Sequence, residues 1–150
     1  MSTLKVDTYL TRGGASEIAI DKLKGVTAAG SMLVVGEGGT TTTNLQQGLC
    51  KAWIDFNGTG TIAIRDSLNM TSITDNGTGD YTHTIANDFN SLNYSFQMEG
   101  VYGGSRSYGD GVMGSDFSKA AGAMRTHFMA GGSDVSDLAY VNATHHGDLA

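Results

Sequence analysis

Apolar and polar residues alternate along much of the chain, most regularly between residues 51 and 101. In "AWIDFN", Ile54 and Phe56 fall on one face of an extended segment, and Trp53 and Asp55 fall on the other. A period of two predicts strands with one buried face. The period continues through "TIAIRD", "NMTSIT", "GDYTHTIAN" and "NYSFQME", so this region predicts about five short strands.

Short connectors separate these segments. "NGTG" and "DNGTG" supply residues that tolerate a positive φ, as tight hairpin turns require. Regularly spaced short strands joined by tight turns predict an antiparallel meander or sandwich. The asparagines that begin Asn-X-Ser/Thr sequences are interpreted as turn residues; they are Asn57, Asn69, Asn76, Asn93 and Asn142.

The first third of the chain has a different sequence pattern, in which loops separate short groups of apolar residues. These groups are Leu4 with Val6, Ile18 with Ile20, and Met32 through Val35. Isolated strands of this length cannot bury enough apolar surface to be stable alone, so they require a partner. The partner is either the C-terminal domain or the same segment of another chain, which points to an oligomer. We therefore predict an all-β fold, with extended strands in residues 1–50 and an antiparallel β-sandwich in residues 51–150.

Two segments depart from the strand pattern. "TTNLQQGLCKAW" predicts a short helical turn, because the Asn44 side chain can accept a hydrogen bond from an unpaired helical N–H. "SKAAGAM" predicts one further helical turn. Cys50 is interpreted as a buried packing residue. In the closing segment, alternation puts Leu138, Tyr140 and Asn142 on one face.

A glycine-rich stretch, Gly100–Met113, interrupts the strands and predicts a long loop. Long loops on a β scaffold commonly carry binding residues. Exposed tyrosines among small polar residues make good contact surfaces for sugars or proteins. We therefore predict Tyr102, Arg106 and Tyr108 as receptor or partner contacts. The alternative is that the tyrosines pack over the domain edge or a neighbouring subunit.

Charge and composition exclude several classes of function. The net charge of -6 and the scattered basic residues argue against a nucleic-acid partner. A single cysteine allows no internal disulfide, which fits synthesis in a reducing cytoplasm. Neither a signal peptide nor an apolar run of the roughly 18 residues that span a bilayer is visible, so membrane insertion is not expected.

Residues able to carry chemistry show no spacing that defines a catalytic set or a metal site. His83 is predicted to be partly buried and bonded to backbone, and His145 and His146 to point to opposite faces. Three copies of one histidine meeting at a trimer axis would be the alternative. Most of the aspartates Asp75, Asp80, Asp110, Asp116, Asp134 and Asp137 adjoin Gly, Ser or Asn, so turn chemistry accounts for them. A cation bound by loop carboxylates is the alternative. We therefore predict no cofactor, no metal and no enzymatic activity.

Four segments resemble tailed-bacteriophage virion proteins of the marine-phage type, many of which are tail-fibre proteins. They are "STLKVDT" at Ser2–Thr8, the stretch Ala15–Gly25, "NLQQGLCKAWIDFNGTGTIAIRDSLNMTSITDNGTGDYT" at Asn44–Thr82, and "GDLA" at Gly147–Ala150. The resemblance is most specific in Lys51–Tyr81 and does not extend to Val101–Arg125. It implies a trimeric, β-rich, non-enzymatic fibre, with an N-terminal segment for anchoring or intertwining.

The leading functional hypothesis is a short trimeric tail fibre or fibre-like virion component that mediates host attachment through several weak contacts. Its expected location is the virion, assembled in the bacterial cytoplasm. The expected partners are sister copies, other tail or capsid proteins, and a host-surface glycan or protein. The alternative is a capsid decoration (cement) protein or a fibre-to-tail adaptor. A polysaccharide depolymerase is disfavoured, since its catalytic motifs are missing.

Overall fold

A computed structural model describes residues 32–101, 108–109, 118–130 and 134–150, and in these ranges the chain is almost entirely antiparallel β-structure. The predicted all-β class is confirmed. The elements are β1 Leu33–Val35, β2 Thr42–Asn44, α1 Leu45–Gly48, β3 Ala52–Asn57, β4 Ala63–Leu68, β5 Met70–Gly77, β6 Asp80–Ile85, β7 Ser95–Val101, β8 Tyr108–Gly109, β9 Ser118–Lys119, β10 Ala123–His127, β11 Met129–Ala130, β12 Asp134–Val135 and β13 Tyr140–His146.

The larger sheet has five strands in the order β4-β3-β13-β7-β8. Its centre is β13, which pairs along its length with β7 and with β3. In this register Asn142 lies opposite Glu99 of β7 and opposite Asp55 of β3. The edge strand β4 pairs with β3 through a register shift at Asp55/Phe56, which places Arg65 at a bulge.

The second large sheet has four strands in the order β5-β6-β10-β9. Its edge strand β5 shows two register shifts against β6, at Met70/Ser72 and at Asp75/Gly77. The opposite edge, β9, pairs over only two residues. Two small sheets, β1-β2 and β11-β12, complete the described structure.

The buried faces of the two large sheets contact each other. The ring of Phe56 on β3 lies 5.1 Å from the ring of Tyr81 on β6, in an edge-to-face arrangement. Ile54 and Val141 from the five-stranded sheet belong to the same buried cluster, together with Phe128 from the segment after β10. Every second residue of β3 is buried, as the sequence predicted for Ile54 and Phe56.

The predicted turn chemistry is confirmed at both hairpins. Gly60 follows β3 with a φ of 63°, and Gly79 joins β5 to β6 with a φ of 66°. Only glycine adopts this left-handed conformation without strain. The Asn57 side chain closes the first turn, because its Nδ2 donates to the carbonyl oxygen of Thr59 at 2.7 Å. Asn142 is a correction, since it lies within strand β13 and not in a turn.

The predicted helical turn at residues 45–48 is confirmed. The Asn44 side-chain oxygen accepts hydrogen bonds from the backbone N–H groups of Gln46 and Gln47, at 2.8 and 3.2 Å. These bonds satisfy two of the donors that a helix N-terminus leaves unpaired. Because α1 follows β2 directly, the cap also fixes how the chain leaves the β1-β2 hairpin.

Three other predictions are wrong. "SKAAGAM" is not helical but forms the β9-β10 turn, because pairing with β6 buries Met124 and Thr126. Leu138 is fully buried and precedes the strand, so it does not share the outer face with Tyr140. Cys50 is only partly buried, and its thiol donates to the carbonyl oxygen of Ala52 at 3.2 Å.

Candidate functional site

Of the three predicted contact residues, only the backbone of Tyr108 is described. Tyr102 and Arg106 fall outside the described residues. The backbone of Tyr108 forms β8, where it pairs with Val101 of β7. The glycine-rich stretch therefore returns to the edge of the five-stranded sheet, and the contact role of these residues stays a prediction.

The outward face of the same sheet carries an open groove of about 550 Å³ along strands β7 and β13. Its floor is formed between paired residues of these two strands, where Asn142 lies opposite Glu99 and Thr144 lies opposite Gln97. The lining residues are Gln97, Met98, Glu99, Asn142, Ala143 and Thr144. A volume of this size falls in the range of small-ligand sites, about 300–1,000 Å³.

Strand alternation explains why the groove is polar. Met98, Ala143 and His145 face the buried side, so Gln97, Glu99 and the even-numbered residues of β13 face outward. The outward face of the adjacent strands β7 and β13 thereby presents two amides, one carboxylate and one hydroxyl. Among the described residues, none of these four side chains has a hydrogen-bond partner, and Gln97, Glu99 and Asn142 are exposed.

Aromatic side chains lie near both ends of the groove. Trp53 of β3 is opposite Thr144 at one end, and Tyr140 begins β13 at the other. Tyr140 and Trp53 are four residues apart along the strand direction and one strand apart across the sheet, so about 14 Å separates their Cα atoms. The Tyr140 side chain is half-exposed, with a fractional exposure of 51%. The face is therefore a polar strip bounded by two aromatic residues.

Arg65 fixes the Tyr140 end of this face. Its guanidinium lies 4.4 Å from the centroid of the Tyr140 ring and donates to the Asp55 carboxylate at 3.2 Å. It also donates to the backbone carbonyl oxygens of Phe56, at 2.8 Å, and of Ala139. Arg65 thus ties β4 to β3 and to the start of β13, which orients Tyr140 before any partner binds.

Two buried histidines face each other between the large sheets. His83 of β6 and His145 of β13 have ring centroids 6.3 Å apart in an edge-to-face arrangement, and both side chains are fully buried. Among the described residues, no atom meets hydrogen-bond geometry with any of their four ring nitrogens. The prediction that His83 bonds to backbone is therefore wrong, because its neighbours are aromatic rings and apolar side chains.

Both imidazoles are held in the neutral form. Burial lowers the pKa of His83 to about 3, with a smaller contribution from His145. Burial also lowers the pKa of His145 to about 4, opposed in part by the adjacent backbone of Ala52 and assisted by His146 and Lys119. His146 points to the opposite face, as predicted. The burial of His145 excludes it from any shared metal site at a trimer axis.

The aspartates divide into turn residues and structural partners. Asp75 accepts from the backbone N–H of Gly77 at 2.9 Å, so its turn role is confirmed. Asp80 instead pairs with Arg125, whose Nε lies 2.9 Å from Oδ1, and this guanidinium holds the pKa of Asp80 below its ordinary value. Asp137 accepts from the Tyr81 hydroxyl at 3.0 Å and from the backbone N–H of Gly79 at 2.8 Å.

The other three predicted turn aspartates remain untested. Asp110 and Asp116 lie outside the described residues, and of Asp134 only the backbone is described. In the described part of the chain, no group of three or more His, Cys, Asp or Glu residues is close enough to hold a metal ion.

Comparison with known proteins gives no assignment: no protein-family model, curated protein or solved structure matches this chain. In the ranges that the structure describes, no helix has both the length and the apolar character that crossing a bilayer demands.

Sequence reasoning missed the groove, although the signal was present. Alternation along β7 already directs Gln97 and Glu99 away from the face shared by Phe96 and Met98. What the sequence did not reveal is that β13, more than 40 residues later, pairs beside β7 and supplies Asn142 and Thr144. Pairing between distant strands is decided by the whole fold, so local patterns do not identify it.

Proposed function

We propose that the chain is a non-enzymatic structural protein of a tailed-bacteriophage virion, a short homotrimeric tail fibre or fibre-like component that serves host attachment. In this proposal the two large sheets form a β-sandwich, supported by the contact of Phe56 with Tyr81 across the buried faces. The resemblance of Lys51–Tyr81 to such proteins supplies the class. The small hairpin β1-β2 supplies the structural support.

The hairpin is the observation that carries the proposal. Leu33, Val34 and Val35 form all of β1, and their side chains are 55%, 50% and 59% exposed. A two-stranded hairpin is marginal alone in water, and three adjacent exposed aliphatic residues add an apolar surface to it. Equivalent hairpins from sister subunits would bury both faces, as an obligate homo-oligomer does.

A capsid decoration protein or a fibre-to-tail adaptor is the second candidate. The longest strand in the described residues has eight residues, Met70–Gly77, and a repeated shaft does not occur in the same ranges. A compact β domain with an exposed apolar hairpin is suited to attachment on a virion lattice and equally to a place at the tip of a fibre. Copy number separates the two, because cement proteins follow the capsid lattice and fibres follow the tail symmetry.

Light scattering on the purified chain tests the proposal, with the intact protein compared with a version that lacks residues 1–44. We expect a trimer for the intact chain and loss of the trimer on truncation. A full-length monomer would contradict the homotrimer. Quantitative mass spectrometry of purified particles then gives the copy number, and absence of the chain from particles would contradict a virion location.

A further inference from the structure

We propose that the outer face of the five-stranded sheet is a binding site for an uncharged polysaccharide, with the groove between β7 and β13 as its centre. The inference rests on the proposed attachment function and names the receptor class and the surface. The site comprises Gln97, Glu99, Asn142 and Thr144 with Trp53 and Tyr140 at its ends. None of the predicted loop contacts Tyr102, Arg106 and Tyr108 belongs to this set of residues.

The polar strip has the hydrogen-bonding groups that sugar hydroxyls require. An amide both donates and accepts, a carboxylate accepts twice, and a hydroxyl does either. Neighbouring hydroxyls on a sugar ring can therefore bond to Asn142 and Glu99 together, since these residues are directly opposite in the register. The side chains have no partner among the described residues, so binding breaks no hydrogen bond within that part of the chain.

The two aromatic residues supply the apolar part of the recognition. The C–H faces of a sugar ring pack against Trp and Tyr, which offer large rigid surfaces at low entropic cost. Their Cα separation of about 14 Å is the span of roughly three sugar units in an extended chain. Tyr140 is pre-oriented by Arg65, which reduces the entropy lost on binding.

Charge on the face selects against acidic polysaccharides. Glu99 lies in the groove opposite Asn142, and Asp55 and Asp66 lie on β3 and β4, on the other side of β13. Arg65 of β4 is already paired with Asp55 at 3.2 Å. Uronic or sialic acid units would therefore meet like charge, so the face fits neutral hexose or N-acetylhexosamine units.

The same composition argues against burial between subunits. Interface centres are depleted of charged residues and enriched in apolar and aromatic ones, whereas the centre of this face is Glu99 with two amides. The apolar surface suited to sister subunits lies elsewhere, on Leu33–Val35. The two surfaces thus divide the tasks of assembly and receptor contact.

Trp53 makes the test direct, because it is the only tryptophan in the chain. Intrinsic tryptophan fluorescence of the full-length protein therefore reports on this face alone. The probes are hexamers of glucose, mannose and N-acetylglucosamine, with a galacturonic acid hexamer as the acidic comparison. We expect at least one neutral hexamer to change the emission saturably, and the acidic hexamer to bind at least tenfold more weakly.

Substitutions within the groove keep the reporter intact. We expect Asn142→Ala and Glu99→Gln each to weaken binding of the responsive hexamer at least tenfold. Asn90→Ala is the matched control, because Asn90 is exposed and lies outside the sheets; its affinity should equal that of the unsubstituted protein. Circular dichroism of each variant confirms that the sheets remain folded.

Three results would overturn the assignment. They are no emission change with any neutral hexamer at millimolar concentration, unchanged affinity in both groove variants, and tighter binding of the acidic hexamer. Light scattering on the same samples separates this inference from the proposed function. A trimer that ignores all sugars contradicts only the binding face, and a monomer that binds through the groove contradicts only the trimeric assembly.

Discussion

Burial of two unpaired imidazoles is the most unusual feature at the scale of single residues. His83 and His145 contact each other and the rings of Phe56, Phe89 and Tyr94 across the space between the sheets. A protonated imidazole there would lose more by giving up its hydration than it would regain from its surroundings. As the pH falls, His83 and His145 therefore bind protons in the unfolded state before they do so in the folded state.

We expect the free energy of unfolding to fall as the pH is lowered from 7 to 5. An unfolded histidine has a pKa near 6.5, whereas burial lowers those of His83 and His145 to about 3 and about 4. Below pH 6.5 the unfolded state therefore binds more protons, and the loss is about 2 kcal/mol for each histidine by pH 5. Urea unfolding at both pH values measures it.

His83→Leu separates this effect from other titrations. The variant should lose about half of the pH dependence and keep its stability at pH 7, because leucine fills a similar volume without unpaired polar atoms. His146→Leu is the control and should keep the full dependence, since His146 is on the opposite face. Equal stability of the unsubstituted protein at pH 7 and 5 would contradict the account.

The Tyr81 hydroxyl offers a second prediction. It donates a hydrogen bond within the buried core, with Gly58 O at 2.9 Å and Asp137 Oδ1 at 3.0 Å in reach, and burial raises its pKa well above the ordinary value. Tyr81→Phe should cost about 1–2 kcal/mol, because these acceptors lose a buried donor. Tyr140→Phe, on the exposed face, should change the urea midpoint very little.

The sequence predicted the environment of a residue correctly where its contacts are set by neighbours in the chain, and failed where they are set by residues far away in sequence. The inward positions of Ile54, Phe56 and Tyr81 followed from alternation alone. The environment of His83 did not, because the rings that contact it, Phe56 of β3 and His145 of β13, are distant in sequence. The assignment of Asp80 to a turn failed for the same reason, since Arg125 is 45 residues away.

At the scale of elements, the turn between β5 and β6 is more constrained than its sequence shows. Gly79 has a φ of 66°, and the backbone of other segments lies close to it. A Cβ added at Gly79 would lie 2.7 Å from the carbonyl oxygen of Phe128. Gly60 in the β3-β4 hairpin has a similar φ of 63° but open space around it. Substitution of Gly60 therefore tests backbone strain alone, whereas substitution of Gly79 tests the same strain together with steric overlap.

We expect Gly60→Ala to cost about 1 kcal/mol, from the left-handed conformation alone. Gly79→Ala should cost about 3 kcal/mol, because overpacking adds to the same strain. Thermal or urea unfolding of both variants measures the difference. Equal losses would show that the segment after Phe128 moves aside, and would contradict the close packing of this turn.

Element prediction succeeded where turn residues and alternation agreed, as at "NGTG" and "DNGTG". It failed at "SKAAGAM", where three alanines favour a helix but Met124 and Thr126 are required inside the sheet. Tertiary pairing outweighed the intrinsic preference of alanine, which amounts to less than about 1 kcal/mol per residue. The capped turn at Asn44 was predictable because all its hydrogen bonds are local.

At the scale of the whole molecule, the exposed β1-β2 hairpin makes a prediction about assembly. Replacing Leu33, Val34 and Val35 together by serine should reduce the proposed trimer to monomers, because it removes the apolar surface proposed to join subunits. Leu92→Ser is the control, since Leu92 is equally exposed, at 55%, but lies in a loop. A trimer that survives the triple substitution would place the subunit contacts elsewhere.

The edges of the two large sheets carry a consequence for crowded copies. β5 and β4 are interrupted by register shifts, and β8 and β9 each pair over two residues. A foreign strand needs a long, straight row of unpaired N–H and C=O groups to extend a sheet, and within the described residues these edges do not provide one. Copies of the chain held side by side at high density would thus resist lateral stacking into amyloid-like ribbons through these edges.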